Sequence, residues 1–269
     1  MKKAWIGIIT LLAVGLGGVS VAAAQEAESE PFDLQFAAGF KGGVNGVAGH
    51  GFDNNSRITG TDGNVYEFSR PEYYGHFGVG GTGGLSLEAR ALGFVGLEFG
   101  FYYSQDNADG YVDKNDANTG QTLTRITSEQ RTTAYHIPIL LKLNVPADVI
   151  RPFLGVGFEF VRQIDSTLEY DQEPGLGRAS DGDMNALRNR NQIEATNYTL
   201  FAFTAGIEIA AGPVKIPFEV RGGYTLGFDR DADSRARYDT SENQIIYDGV
   251  YMGHFGIFTG VLYEFDLLL

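Results

Sequence analysis

Residues 95–103 read Val95-Gly96-Leu97-Glu98-Phe99-Gly100-Phe101-Tyr102-Tyr103, and the fold turns on how this stretch divides. Val95, Leu97, Phe99, Phe101 and Tyr103 fall on one side of a period-of-two pattern. Gly96, Glu98, Gly100 and, one step further, Ser104 fall on the other. An extended chain sends successive side chains to opposite faces, so the stretch reads as a β-strand with one apolar face and one face of glycine and charge.

The same division recurs along the chain. Upstream, Leu34, Phe36, Ala38, Phe40 and Val44 oppose Gln35, Gly39, Lys41 and Asn45 in a run from about Asp33 to Val47; then Phe77, Val79, Leu85, Leu87 and Ala89 oppose Gly78, Gly80, Thr82, Ser86, Glu88 and Arg90. Downstream, Tyr135, Ile137, Ile139, Leu141 and Leu143 oppose His136, Pro138, Lys142 and Asn144. Leu154, Val156, Phe158 and Phe160 oppose Arg151, Gly155, Gly157 and Glu159. The last three runs are Phe201–Ile209 against Thr204, Gly206 and Glu208; Val214–Tyr224 against Lys215, Glu219, Arg221 and Thr225; and Phe255–Phe265 against His254, Gly256, Gly260 and Glu264. That makes eight strands, each of about ten residues, the length a tilted strand needs to cross a membrane.

The connections alternate as well. Short links fall at Leu92-Gly93-Phe94, Pro146-Ala147-Asp148 and Ala211-Gly212-Pro213, and long polar ones at 48–75, 105–131, 162–197 and 227–250. Short turns on one side and long loops on the other are the layout of a transmembrane barrel, with the short turns in the periplasm and four long loops outside. The expected fold is therefore all-β: an eight-stranded antiparallel up-and-down transmembrane barrel over residues 33–269.

Alternation does not by itself say which face is outside, since a soluble ligand-binding barrel would turn its apolar face inward. The glycine-crowded polar face settles the reading, because an eight-stranded barrel is only just wide enough for the side chains it encloses. Its charges also nearly balance. The acids are Glu88, Glu98, Glu159, Glu208, Glu219 and Glu264; the bases are Lys41, Arg90, Lys142, Arg151, Lys215 and Arg221. Opposite charges can neutralise one another in a closed lumen, where a lone one would be costly. Aromatics gather at the loop ends (Tyr73, Tyr74, Tyr102, Tyr103, Tyr135, Phe160, Tyr198, Tyr224, Tyr251) and near the turns (Phe94, Phe153, Tyr263, Phe265), so two interfacial girdles are expected. Pro138, Pro152 and Pro217 fall within strands, and each predicts a bulge or a strand end.

The chain begins Met1-Lys2-Lys3, runs apolar from Ala4 to Val21 and reaches Ala22-Ala23-Ala24-Gln25. A basic start, an apolar middle and small residues before the cut make residues 1–24 a cleaved signal peptide rather than an anchor, with 25–32 as an acidic periplasmic lead-in. The net charge of −14 over 269 residues argues against nucleic acid as a partner, and the absence of Cys removes disulfides and thiolate metal sites.

Tyr135-His-Ile-Pro-Ile-Leu-Leu-Lys142, Arg151-Pro-Phe-Leu-Gly-Val-Gly157 and Gly260-Val-Leu-Tyr-Glu-Phe265 together resemble the small outer-membrane β-barrel family called PorT-like or OmpA/OmpX-like. The resemblance covers nearly all of the chain after residue 24. It implies a cell outer-membrane location and makes Gly260, Tyr263 and Phe265 the signal read by the barrel-assembly machinery during insertion. Such a fold hosts many activities and specifies none.

No catalytic site is expected. Of His50, His76, His136 and His254, only His254 sits near the outer end of the last strand, and no Ser lies at a telling spacing from it. No two His share a metal-binding spacing. Asp229-Arg-Asp231-Ala-Asp233 begins like a calcium loop but lacks its glycine and its final glutamate, Thr240 standing in the last place. The sequence thus predicts a non-enzymatic, monomeric envelope scaffold without cofactor, displaying acidic loops in a structural or binding role. Its expected partners are outer-membrane lipid, the assembly machinery and an unknown extracellular partner at the loops. A lipid A-modifying enzyme and a narrow ion channel are the alternatives.

Overall fold

Every strand has two edges of backbone donors and acceptors, and here each edge of every long strand finds a neighbour. The computed structural model describes residues 34–49, 55–59, 65–69, 76–172, 191–227, 237–239 and 244–267. Its long strands are β1 (Leu34–Gly49), β2 (Phe77–Ala91), β3 (Val95–Asp116), β4 (Thr122–Asn144), β5 (Ile150–Gln172), β6 (Asn197–Ala211), β7 (Val214–Thr225) and β8 (Tyr251–Leu267). Each pairs antiparallel with its neighbours in the chain, and β8 returns to β1 in a ladder from Leu34↔Leu267 to Gly49↔Tyr251. The sheet closes on itself as an eight-stranded up-and-down barrel, which leaves no open edge. The expected signal peptide 1–24, the lead-in 25–32 and the calcium-like stretch 229–234 lie outside the described residues.

Burial is inverted relative to a water-soluble domain. Phe40, Val79 and Ile257 are 69, 67 and 62% exposed on the outer wall, while Glu98, Lys142 and Glu208 are fully buried within. The apolar band on β3 runs from Val95 to Tyr103, about 30 Å of strand, which a tilt of about 40° reduces to roughly 23 Å of height.

The expected loop at 105–131 is largely sheet, and the one at 162–197 begins as strand. β3 and β4 continue as a hairpin to Asp116 and Thr122, so the loop expected at 105–131 shrinks to the turn at 117–121, and β5 follows β4 outward to Gln172. Short strands widen this flap: Val65–Ser69 pairs onto β3, and Asn55–Thr59 pairs onto Val65–Ser69. A parallel pairing joins Gln244–Asp248 to Asn191–Glu194. Above the band both faces of the flap carry polar residues (Thr124, Ser128 and Gln130 on one side, Thr127, Glu129 and Arg131 on the other), so the apolar contrast that reveals a strand is lost.

The prolines also behave differently from expectation. Pro138 and Pro217 lie in mid-strand without a bulge, and the register continues past each of them. Pairing merely lapses, between Phe99↔Ile139 and Tyr102↔His136 in one ladder and between Lys215↔Leu262 and Phe218↔Thr259 in the other. Extrapolated registers put Gly100 opposite Pro138 and Gly260 opposite Pro217, so a residue without a side chain faces each ring. Pro152 sits close to the start of β5, as expected.

Four aromatics assigned to the girdles point inward instead: Tyr102, Phe153 and Tyr251 are buried, and Tyr198 packs beneath Tyr251 and Leu200. Strand parity is the reason for Tyr102, Phe153 and Tyr198, which share faces with Glu98, Arg151 and Thr204; Tyr251 has the outward parity of Phe255 and turns inward where the β1–β8 register shifts between Ala48 and Gly49. Tyr103, Tyr135, Phe160 and Tyr224 remain at the outer wall near the long-loop end, and Phe94, Tyr263 and Phe265 near the turns. The lumen glycines create space for the inward rings. A Cβ at Gly206 would stand 2.7 Å from the Phe153 ring; one at Gly100 would collide with the Tyr102 ring and come within 2.9 Å of Pro138 Cγ. Gly100→Ala should therefore cost about 1–3 kcal/mol, while Gly81→Ala, which points into open space, should stay within about 0.5 kcal/mol. Urea midpoints of the two detergent-folded variants, read by the mobility shift between heated and unheated protein, will show the difference.

Candidate functional site

Among the described residues, the barrel interior concentrates the charged side chains. At mid-height, carboxylates and cations from six strands interlock: Lys41 on β1, Glu88 and Arg90 on β2, Glu98 on β3, Lys142 on β4, Glu208 on β6, and Glu219 and Arg221 on β7. Arg90 bonds Glu88 at 2.5 Å and Glu208 at 2.7 Å, and Lys142 reaches the same two carboxylates at 2.9 and 3.2 Å. Lys142 also lies 3.3 Å from Glu98, which joins this group to the next. Glu98 accepts from Lys41 at 2.7 Å and from Arg221 at 2.9 Å; Glu219 accepts from Lys41 at 2.9 Å and pairs with Arg221 at 2.6 Å.

Four positive and four negative charges therefore cancel, and each carboxylate touches at least two cations. Inside a barrel with little water this matching is what makes the charges tolerable, because an unpaired buried ion costs several kcal/mol. Rings complete the packing: Lys142 Nζ stands 4.0 Å over Phe153, and the Arg221 guanidinium lies 4.9 and 5.5 Å over Phe258 and Tyr102.

The remaining charges flank this layer. Near the short turns, Glu264 pairs with Lys215 and lies 3.5 Å from Arg151, whose Nε also donates to the Ala147 carbonyl at 2.8 Å. Toward the long loops, Glu159 lies 4.0 Å from Arg221 and 2.6 Å from His136 Nδ1. His136 Nε2 meets Ser104 Oγ at 2.9 Å, and Ser104 donates to Asp106 at 2.8 Å. His254 packs against His136 with ring centroids 5.3 Å apart and bonds the Tyr198 hydroxyl through Nε2 at 2.8 Å.

Every charged residue that the sequence predicts on the polar face lies inward. The sequence reading missed the upper group. Asp106 fell in a stretch read as loop, and His136 and His254 stand 118 positions apart on β4 and β8, so no spacing could reveal their contact. Their shared membership of the polar face was the only available signal.

Ser104, His136 and Glu159 have the order of a nucleophile, base and acid in acyl transfer, which the sequence reading did not anticipate. The hydroxyl is fully buried, however, and its proton is committed to Asp106. The nearby cavity measures only about 10 Å³, and the residues lining it include His136, Glu159 and His254 but not Ser104. That volume accommodates a single water.

The geometry thus defines a closed β-barrel with an apolar wall and an ion-paired, filled lumen. Among solved structures, the chain is similar to the N-terminal β-barrel domain of OprF from Pseudomonas aeruginosa (10% identity, 88% of this chain and 100% of that one, TM-score 0.36). It is also similar to OprG from the same organism (12% identity, 88% and 97%, TM-score 0.35) and to Neisserial surface protein A (9% identity, 87% and 97%, TM-score 0.34). No family model and no curated protein matches the sequence.

Glu98 contacts three cations and so tests the network most sharply. Glu98→Gln should lower stability by about 3–5 kcal/mol, and adding Lys41→Met should recover part of the loss by removing one of the stranded charges. Equilibrium urea unfolding in detergent micelles measures both.

Proposed function

We propose that this protein is an outer-membrane β-barrel that serves as a non-enzymatic scaffold, spanning the bilayer with its lower barrel and holding an acidic flap of sheet above the surface. One observation carries the reading: large apolar side chains cover the outer wall while paired charges fill the inside. A soluble barrel would lose free energy on both counts, whereas a hydrocarbon surround makes both favourable. Closure of β1 on β8 supports the same reading, since an open edge in lipid would strand backbone donors and acceptors.

The role as a scaffold rests on what the interior leaves free. Ion pairs occupy the mid-height of the lumen, and the cavity nearby, about 10 Å³, is not lined by Ser104. A narrow channel would need a continuous wet path through that layer. Outside the band, β3–β5 present Asp109, Asp165, Glu169 and Asp171 to solvent, an acidic surface suited to a structural or binding role. The short turns then face the periplasm. One of them, Leu92-Gly93, has positive φ at both central residues (54° and 71°), the sign required by a tight hairpin.

The test has two arms. Cells expressing the chain should carry it in the outer-membrane fraction in a heat-modifiable form, and the purified protein in planar bilayers should give no stable conductance steps. Recovery as a soluble periplasmic protein would refute the barrel's orientation; regular steps would favour the channel; release of acyl chains from lipid A would favour the enzyme.

Insertion should depend on the last strand. Tyr263 and Phe265 are 57 and 44% exposed on the outer wall of β8, the strand that closes the barrel. Replacing both with Ala should reduce folded protein in purified outer membranes several-fold, and replacing Tyr66 and Tyr111, which lie beyond the apolar band, should not.

A further inference from the structure

The upper lumen contains a set of donor atoms that the ion-pair network does not use. His136, Glu159 and His254 each bring one ligating atom to within 4.8 Å of the other two. These residues come from β4, β5 and β8, so the closed barrel itself holds them together.

Hydrogen bonding bears on which nitrogens can be free. Ser104 has a single proton and gives it to Asp106. Its oxygen must then accept from His136 Nε2, which therefore carries a hydrogen. In a neutral imidazole this leaves Nδ1 as a bare lone pair, 2.6 Å from a carboxylate oxygen of Glu159. Two lone pairs at that distance need a cation between them, either a proton or a metal. On His254, Tyr198 bonds Nε2; when that nitrogen carries the hydrogen and donates it to the Tyr198 oxygen, Nδ1, which is shielded from solvent and makes no hydrogen bond, is likewise a bare lone pair.

We propose that His136 Nδ1, His254 Nδ1 and a Glu159 oxygen form a binding site for one divalent first-row transition cation inside the barrel, with Zn²⁺ as the fitting member. Two imidazoles and one carboxylate match the preference of Zn²⁺, whereas Ca²⁺ and Mg²⁺ favour oxygen-only shells. The cavity of about 10 Å³ lined by all three residues leaves room for one water to complete a tetrahedron. Tyr198 and Ser104 hold the second nitrogen of each imidazole, the usual outer support of a metal-binding histidine. Small movements of the side chains would open the His136–Glu159 contact to ligand spacing.

Cobalt provides the probe, because four-coordinate Co²⁺ absorbs in the visible and Zn²⁺ displaces it silently. Untagged full-length protein, isolated from membranes in detergent and treated with a chelator, is titrated with Co²⁺. The expected result is visible absorption that saturates at one equivalent, is abolished by one equivalent of Zn²⁺ and persists in excess Ca²⁺ or Mg²⁺. His136→Ala and His254→Ala should lose the signal, and Tyr198→Phe should weaken binding about 10–100-fold. His76→Gln, altered at a histidine bonded to Ser128 elsewhere in the lumen, should bind like the parent. Heat-modifiable mobility establishes that each variant is folded. Absence of the absorption in the parent protein, a result that needs no variant, overturns the site and leaves a proton between His136 and Glu159. Its persistence in folded His254→Ala overturns it as well.

Discussion

An eight-stranded barrel encloses too little space to hydrate the charges within it, so those charges must satisfy one another. Lys41, Arg90, Lys142 and Arg221 do this with Glu88, Glu98, Glu208 and Glu219, and much of the architecture follows from the requirement. The partners come from six strands, so the network forms only when the barrel has closed in the correct register. A slip of one residue would turn these charges outward and the apolar side chains inward. Ion pairing and strand register are thus one constraint stated in two ways.

The glycines belong to the same constraint. Large inward side chains such as Tyr102 and Phe153 fit because a glycine lies beneath each: Gly100, two residues back on the same strand, and Gly206, on the adjacent one. Where backbone pairing lapses, at Pro138 and Pro217, the register persists across the gap, held by the pairs on either side. The barrel therefore tolerates a lost ladder bond in its wall better than a lost partner in its lumen. The wall hydrogen bonds are many and individually worth about 1 kcal/mol, whereas each lumen charge has few alternatives.

Toward the long-loop end of the apolar band the chemistry changes character. The lower lumen consists of permanent charges in balance, while the upper lumen contains two imidazoles, a hydroxyl and two carboxylates linked in a chain from Asp106 to Glu159, with His254 beside it. Such groups exchange protons and coordinate cations, and Arg221 next to Glu159 connects the two regions. A filled ionic layer thus lies below a small polar cavity in the same closed lumen.

Strict alternation over residues 95–103 and in the seven similar runs determined the strand count, the antiparallel order and the division into apolar and polar faces, because side-chain direction in a strand follows from parity alone. Parity also placed each charged residue of the polar face in the interior once the glycines had shown which side was crowded. Several features did not survive projection onto a line. The flap of β3–β5 is hidden because both of its faces are polar; parity turns Tyr102, Phe153 and Tyr198 inward, whereas Tyr251 has the outward parity of Phe255 and is buried where the register shifts between Ala48 and Gly49. The meeting of His136, Glu159 and His254 belongs to the tertiary structure alone: only closure of β8 against β1 brings residues so distant in the chain around one point.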